Sequence, residues 1–254
     1  MQGHRVRVVR RVPHPGRGFT QGLIADHGDV VLESVGLYGQ SELRRYRLGD
    51  SEPAVRAGVP GEFFGEGICR VGDSIWQLTW RERKALRWDA GTLALRDVVS
   101  YNREGWGICA AGDDVVTSDG TSELVRRDPE MLQPREVIKV RWAGNRVRGL
   151  NDLAWSAGRA WANVASTTAI VGIDLATGEV TDIVDASAAA EPLRGDPQAI
   201  MNGIATPVPD AGNDGLEFLL TGKSWRWIRH ARLVPARRWI DPDRLLAKAG
   251  RWAY

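Results

Sequence analysis

Glu66 is the residue whose surroundings set it apart for chemistry. It stands between Gly65 and Gly67, follows Phe63-Phe64, and leads into Ile68-Cys69, a run that reads as a strand. Burying a bare charge is costly, so such a carboxylate must be paired, protonated or functional. Two readings are open. Glu66 is either a structural carboxylate accepting backbone N–H groups, or a general acid/base whose pKa the apolar walls raise. Trp106 takes its place in the next such phrase, Gly105-Trp106-Gly107, and Trp80 follows Gln77-Leu78-Thr79 where a loop begins. Two indoles bracketing a carboxylate make a small desolvated box, suited to an uncharged or cationic group. Lys223, in Thr221-Gly222-Lys223-Ser224-Trp225, ends another strand pattern; on a surface loop it would carry no chemistry.

The elements that must position these residues are repeats. Gly22-Leu23-Ile24, Gly65-Glu66-Gly67-Ile68, Gly105-Trp106-Gly107-Ile108, Gly149-Leu150-Asn151-Asp152-Leu153 and Asn202-Gly203-Ile204 recur roughly every 40 to 50 residues, each opening an apolar-alternating run. Turn signals such as His27-Gly28-Asp29, Val71-Gly72-Asp73, Ala111-Gly112-Asp113 and Ala157-Gly158-Arg159 separate the strands within each repeat. The expected fold is all-β, a five-bladed β-propeller over residues 1–234, with a tail over 235–254 holding a short helix. The run Val6 to Pro13 is expected to pair with the last blade and close the ring. Asp241-Pro242 predicts an N-cap and first turn for a helix through Lys248, stopped by Gly250. Equivalent positions then surround one point: Gln21, Glu66, Trp106, Asn151 and Asn202.

Composition bounds the partners. The chain has 254 residues, with 34 Lys and Arg against 32 Asp and Glu. A net charge of +2 gives no reason to expect nucleic acid or an anionic membrane surface. Arginines cluster at Arg5 to Arg11 and Arg226 to Arg238 but alternate with apolar residues, as on a solvated strand face. Cys69 and Cys109 occupy equivalent positions of consecutive repeats, too far apart for a disulfide, and read as buried thiols. The four histidines, His4, His14, His27 and His230, show no metal-ligand spacing, and no Cys-x-x-Cys occurs, so no catalytic metal is expected. Trp76, Trp88 and Trp161 fit the core-facing side of mid-repeat strands. No apolar run approaches the roughly 20 residues that span a bilayer. No leader pattern opens the sequence: the expectation is a cytoplasmic protein if the sequence is full length, an exported one if a leader was removed, and a monomer in either case.

A resemblance covers most of the chain. Pro13-His14, Phe19-Thr20-Gln21-Gly22-Leu23, Glu33-Ser34, Gly36-Leu37-Tyr38-Gly39, Phe64-Gly65-Glu66-Gly67, Gln77-x-x-Trp80, Gly105-Trp106-Gly107, Ser118-Asp119-Gly120-Thr121, Arg148-x-Leu150-Asn151, Trp161-Ala162-Asn163, Asn202-Gly203-Ile204-Ala205 and Thr221-Gly222-Lys223-x-Trp225 occur in order between about Val8 and Val234. Each is weak alone. Together they resemble the plant and bacterial type of glutaminyl-peptide cyclotransferase.

The resemblance implies a five-bladed propeller that converts an N-terminal glutamine of a peptide into pyroglutamate with release of ammonia, without catalytic zinc. By analogy, a structural calcium in the channel is allowed. Carried over residue by residue, Glu66 is the general acid/base and Lys223 the charged donor for the oxyanion. Asn151 and Gln21 are further polar groups of the pocket, Trp80 and Trp106 hold the aliphatic part of the substrate, and Asn202 joins the substrate-binding set. This chain departs from the family at Asp152, where a glutamate is usual, and at Ala165, where an aromatic is usual. A pocket wall is then absent unless Trp225 or Trp227 supplies it. The alternative reading is a non-catalytic propeller that binds peptide N-termini in the same box. A metal-dependent lactonase-type propeller would need a ring of channel ligands that the sequence lacks.

Overall fold

The computed structural model describes residues 2–191, 196–207, 216–238 and 240–249. Among them the chain is all-β apart from single 3-10 turns and one short helix. A first sheet holds β2 (Thr20–His27), β3 (Val30–Val35), β4 (Glu42–Arg47) and β5 (Val55–Gly58) in sequence order, after the N-terminal strand β1 (Gln2–Pro13). A second holds β6 (Gly65–Val71), β7 (Ser74–Thr79), β8 (Lys84–Asp89) and β9 (Leu95–Ser100). The third holds β10 (Ile108–Ala111), β11 (Asp114–Ser118), β12 (Glu123–Arg127) and β13 (Pro134–Lys139), followed by a two-stranded ribbon, β14 (Arg141–Trp142) and β15 (Asn145–Arg146). The remaining strands are β16 (Leu150–Ser156), β17 (Arg159–Val164), β18 (Ala169–Ile173), β19 (Val180–Asp185), β20 (Met201–Ala205), β21 (Glu217–Gly222) and β22 (Trp227–Pro235). They form one eight-stranded sheet with β1, in the order β16-β17-β18-β19-β1-β22-β21-β20.

β1 makes that sheet continuous. Its residues His4 to Pro13 pair antiparallel with Trp227 to Pro235, as expected for a strand that closes the last repeat. Its first residues, Gln2 to Arg5, also pair in parallel with Asp182 to Asp185 of β19, which the sequence did not announce. The side chains of Arg5, Arg7, Arg10 and Arg11 on this strand face solvent; alternation places Arg5 and Arg7 there, and a register break between Val8 and Arg10 lets the adjacent Arg10 and Arg11 both do so.

The first strands of successive repeats touch in a closed cycle: β2 on β6, β6 on β10, β10 on β16, β16 on β20, and β20 back on β2. Glycines permit that approach. A Cβ on Gly22 would lie 2.7 Å from the backbone nitrogen of Ile68, and one on Gly67 2.5 Å from the carbonyl of Trp106. The core is divided in the same way. Leu32, Leu43, Ile75 and Trp88 pack between the first two sheets, and Cys69, Trp76, Ile108 and Val115 between the second and third. Val116, Leu124, Leu153 and Val171 fill the next sector, Trp161, Ile204 and Phe218 the one after, and Leu23, Tyr46, Leu219 and Ile228 the last. Trp76, Trp88 and Trp161 are buried as expected, and Cys69 and Cys109 are buried free thiols in different sectors. Among the described residues no helix is long and apolar enough to cross a membrane.

The C-terminal helix is shorter than its sequence pattern suggests. Asp241 is its N-cap, accepting the N–H groups of Asp243 and Arg244, and Pro242 opens it, but α1 spans only Pro242–Leu246. The next residues continue as a turn in which Ala249 donates to the carbonyl of Leu246. The expected stop at Gly250 lies outside the described residues.

Candidate active site

Four of the five equivalent positions sit in breaks of their strand ladders. The register shifts between Thr20 and Gly22, Gly65 and Ile68, Leu150 and Leu153, and Met201 and Ile204, so Gln21, Glu66, Asn151 and Asn202 each occupy an irregular step. Such breaks bend a strand and re-aim a side chain. In the third sheet the strand begins at Ile108, and the Gly107 N–H turns to the Ser118 hydroxyl. Trp106 N still donates to the Ser118 carbonyl and Ser118 N to the Gly107 carbonyl, so Trp106 sits at the irregular start of this strand.

Gln21, Glu66, Trp106 and Asn151 line one cavity of about 470 Å³, together with Trp80 and Lys223. Six of the seven site residues expected from sequence therefore meet there. The seventh, Asn202, is fully buried and does not line the cavity. Its Nδ2 donates to Gln21 Oε1 at 2.9 Å and to the Thr20 carbonyl at 3.2 Å. Gln21 is thereby oriented so that its own Nε2 donates to Glu66 Oε1 at 3.2 Å. One N–H of the Gln21 amide is thus committed to the carboxylate, while Gln21 itself lines the cavity.

Glu66 is held well above the usual carboxylate range, first by burial, with Lys223 pulling the other way and Asp152, Glu82 and Glu104 adding to the rise. Lys223 is pushed below its usual value by burial, against the attraction of Glu66. No ion pair within 4.0 Å joins the two among the described residues. The ammonium of Lys223 instead stands 4.7 Å from the centre of the Phe19 ring. Its backbone is fixed on both sides, since Lys223 N donates to Ile200 and Ser224 N to Gly18.

Aromatic rings make the walls. Phe64 and Trp80 are tilted against each other with centroids 5.5 Å apart, and Phe19 meets Phe64 edge-on at 6.4 Å. Phe64 packs on Gly36, where a Cβ would come 2.5 Å from the ring. Phe19, Leu37 and Phe64 were not singled out as lining residues from the sequence, although the motifs that carry the resemblance contain them. Ser166, Gln198, Ile200 and Lys248 close the remaining side. Neither Trp225 nor Trp227 lines the cavity where an aromatic at Ala165 was expected to be missed. Trp225 is buried behind it, donating from Nε1 to the Ala199 carbonyl, and Trp227 is partly exposed.

One further residue was not assigned this position from the sequence. Asp152 stands where Gly22, Gly67, Gly107 and Gly203 stand in the other repeats, so it alone projects a side chain into the crowded meeting of first strands. Its Oδ2 accepts the N–H of Ile204 at 2.9 Å and of Leu23 at 3.3 Å, while Oδ1 is buried with no partner among the described residues. Burial pushes its pKa up to about 8, although the backbone N–H groups oppose the rise. The break in the glycine pattern was the available signal. The calcium allowed by analogy would need oxygens beyond those of Asp152; the Oδ1 atoms of Asn151, Asn163 and Asn202 are likewise buried without a partner among the described residues. A calcium ion takes about six to eight oxygens, whereas no group of three or more His, Cys, Asp or Glu converges among the described residues. The oxygen of Asp152 nearest the neighbouring strands already faces two N–H donors.

Residues 1–233 match the profile of the family described as glutamine cyclotransferase. The chain is 29% identical over 235 residues to the glutaminyl-peptide cyclotransferase of Arabidopsis thaliana, covering 91% of this chain and 72% of that one. It also matches the crystal structure of Myxococcus xanthus glutaminyl cyclase with a TM-score of 0.83 and 30% identity, over 92% of this chain and 99% of that one. With the profile spanning nearly the whole sequence and a solved relative matching in both sequence and fold, the chain belongs to the glutamine cyclotransferase family.

Proposed function

We propose that the cavity around Glu66 binds the N-terminal glutamine of a peptide folded back on itself, and that Glu66 moves the proton that its cyclisation requires. The chain is a glutaminyl-peptide cyclotransferase, an enzyme that cyclises N-terminal glutamine. In that reaction the α-amine attacks the γ-carboxamide carbon of the same residue. A C–N bond closes the five-membered ring, the bond to the carboxamide nitrogen breaks, and ammonia leaves. Nucleophile and electrophile share one residue, so much of the entropy of bringing them together is absent.

What remains is proton traffic and charge. The α-amine is largely ammonium at neutral pH, with a pKa near 7.7–8.0. The ammonium first loses one proton to solvent. The resulting amine attacks and gives a second proton to the Glu66 carboxylate as nitrogen bonds carbon. Glu66 returns that proton to the departing NH2 group, which leaves as ammonia. Its raised proton affinity suits both halves of that exchange. Gln21, held by Asn202, keeps the carboxylate pointed at the substrate. Lys223 and Asn151 meet the oxyanion in a site whose aromatic walls exclude water. Trp80 and Trp106 hold the methylene groups. No step requires a metal ion.

The same proposal includes the five-bladed propeller. It is supported by the closed cycle of first strands and by the five apolar sectors between successive groups of strands. On this reading β1 completes the fifth blade and its parallel pairing with β19 merges the last two blades into one sheet.

The observation that carries the proposal is a buried carboxyl group of raised proton affinity, held by Gln21 in an aromatic cavity that also contains Lys223. The test is ammonia release from a Gln-initiated dipeptide. Release is expected from the free amine and none from the same peptide N-acetylated; equal release from both would rule out attack by the α-amine.

A further inference from the structure

The catalytic cavity adjoins a second one of about 780 Å³, and the two share Ser166, Ile200 and Lys248 in their walls. This shared wall differs from the others. Phe64, Trp106 and Asn151 are buried, whereas Ser166 and Ile200 are half-buried and Lys248 is exposed. A glutamine folded back toward Glu66 must send the rest of its peptide out of the catalytic cavity, and the shared wall leads to the larger space.

The second cavity is lined by charges of both signs, but they are not equally free. Asp185 accepts the Ser187 N–H at 3.0 Å and lies 3.7 Å from Arg5. Glu191 lies 3.5 Å from Arg229 and 3.9 Å from Arg226, and Asp241 caps α1. Arg244 and Lys248, four positions apart on α1 and the turn after it, make no ion pair among the described residues although both line this cavity. The charge left for a ligand is therefore positive.

We propose that this second cavity is a subsite for the residues following the N-terminal glutamine, and that Arg244 and Lys248 make it favour an acidic side chain there. The proposal rests on the cyclase reading, and it concerns which peptides are preferred, not how they react. An extended peptide advances about 3.3 Å per residue, so the two or three residues after glutamine are the ones concerned.

The experiment compares kcat/KM for four substrates: glutamine amide, and the amides of Gln-Ala-Ala-Ala, Gln-Ala-Glu-Ala and Gln-Ala-Lys-Ala. The glutamate peptide should exceed the alanine peptide, and that the lysine peptide, by about two- to fivefold at each step, the size of a partly exposed charge pair. Arg244→Glu should invert that order and leave glutamine amide unchanged, since Arg244 lies outside the catalytic cavity. Arg244→Gln should flatten the order, and melting curves of both variants check that the fold is intact. A flat series in the wild type, or an order untouched by Arg244→Glu, overturns the subsite. Should no substrate turn over, the cyclase reading fails instead. The subsite is then judged by calorimetric Kd for the same peptides, and equal values overturn it.

Discussion

Gln21 donates to Glu66 across 3.2 Å, on a carboxylate that has no ion pair within 4.0 Å among the described residues. Asn202 holds the other end of the Gln21 amide at 2.9 Å, so residues from β2, β6 and β20 form one line ending on the acid. A donor at that oxygen favours the ionised form and fixes its direction, while burial favours the neutral form. Burial prevails, leaving a group that takes up a proton readily yet keeps one defined geometry.

Glu66→Gln keeps shape and hydrogen bonding while removing the proton acceptor. Turnover should fall by about 10² to 10⁴-fold, the usual worth of general acid/base catalysis. The melting temperature should hold or rise, because an isolated buried ionisable group is gone. Near-normal turnover in this variant would take Glu66 out of the mechanism.

Lys223→Met keeps an apolar stem and removes the charge. Loss of an oxyanion donor lowers kcat by about 10² to 10³-fold. A second effect separates this from simple damage to the pocket. Lys223 is what draws the Glu66 pKa downward, so its removal should move the Glu66-dependent limb of the kcat–pH profile toward higher pH. A lowered kcat with that limb unmoved would mean that the two side chains are not coupled.

The sequence made much of this site legible for a physical reason. Equivalent positions of a repeat converge, so aligning Gly65-Glu66-Gly67 with Gly105-Trp106-Gly107 was enough to place Glu66 beside Trp106. Asp152 was harder, since an acid in a glycine slot matters only once the first strands are known to meet there. The Ser166, Ile200 and Lys248 wall comes from two turns and a C-terminal segment outside the repeat, where periodicity is silent. The parallel pairing of Gln2 to Arg5 with β19 is a contact across most of the chain length, with no local signal. Helix α1 was placed correctly by its Asp-Pro start, yet the cap says where a helix begins and not how far it runs.

Asp152 gives the fold a pH dependence that can be isolated. Its folded pKa of about 8 lies above the ordinary aspartate value near 3.9. Between about pH 4 and pH 8 the folded chain therefore holds a proton at Asp152 that the unfolded chain has lost, and this contribution to stability declines as pH rises. Asp152→Asn keeps an oxygen for the Leu23 and Ile204 N–H groups and does not titrate. Denaturant midpoints measured from pH 5 to 8 should fall less steeply in the variant than in the wild type. Parallel curves would place Asp152 outside the titrating set.

Chelation should leave turnover unchanged. The proposed chemistry runs on Glu66 and Lys223, and the acid among the first strands faces N–H donors. The melting temperature should be equally indifferent to EDTA. Activity lost on chelation with the fold intact, and restored by added zinc, contradicts the mechanism. A fall in melting temperature restored by calcium contradicts only the assignment of the Asp152 oxygens.

Ala165 tests whether the pocket has a wall missing or a wall built differently. Its side chain is fully buried, its N–H donates to the Gly149 carbonyl, and it does not itself line the cavity. Its neighbour Ser166 does, beside Ile200 and Lys248, so that side of the cavity is already furnished. An indole introduced at Ala165, a fully buried position beside this wall, must displace it. Inserting bulk into a packed site typically costs about 1 to 3 kcal/mol. Ala165→Trp should therefore lower the melting temperature and reduce kcat/KM on a Gln-initiated peptide, with KM bearing most of the change because the wall that moves binds substrate and performs no proton transfer. The opposite result is informative. A stable variant with kcat/KM raised about fivefold, the scale of one aromatic contact, would mean that the natural cavity is open at Ala165 and that water entering there limits the wild-type enzyme.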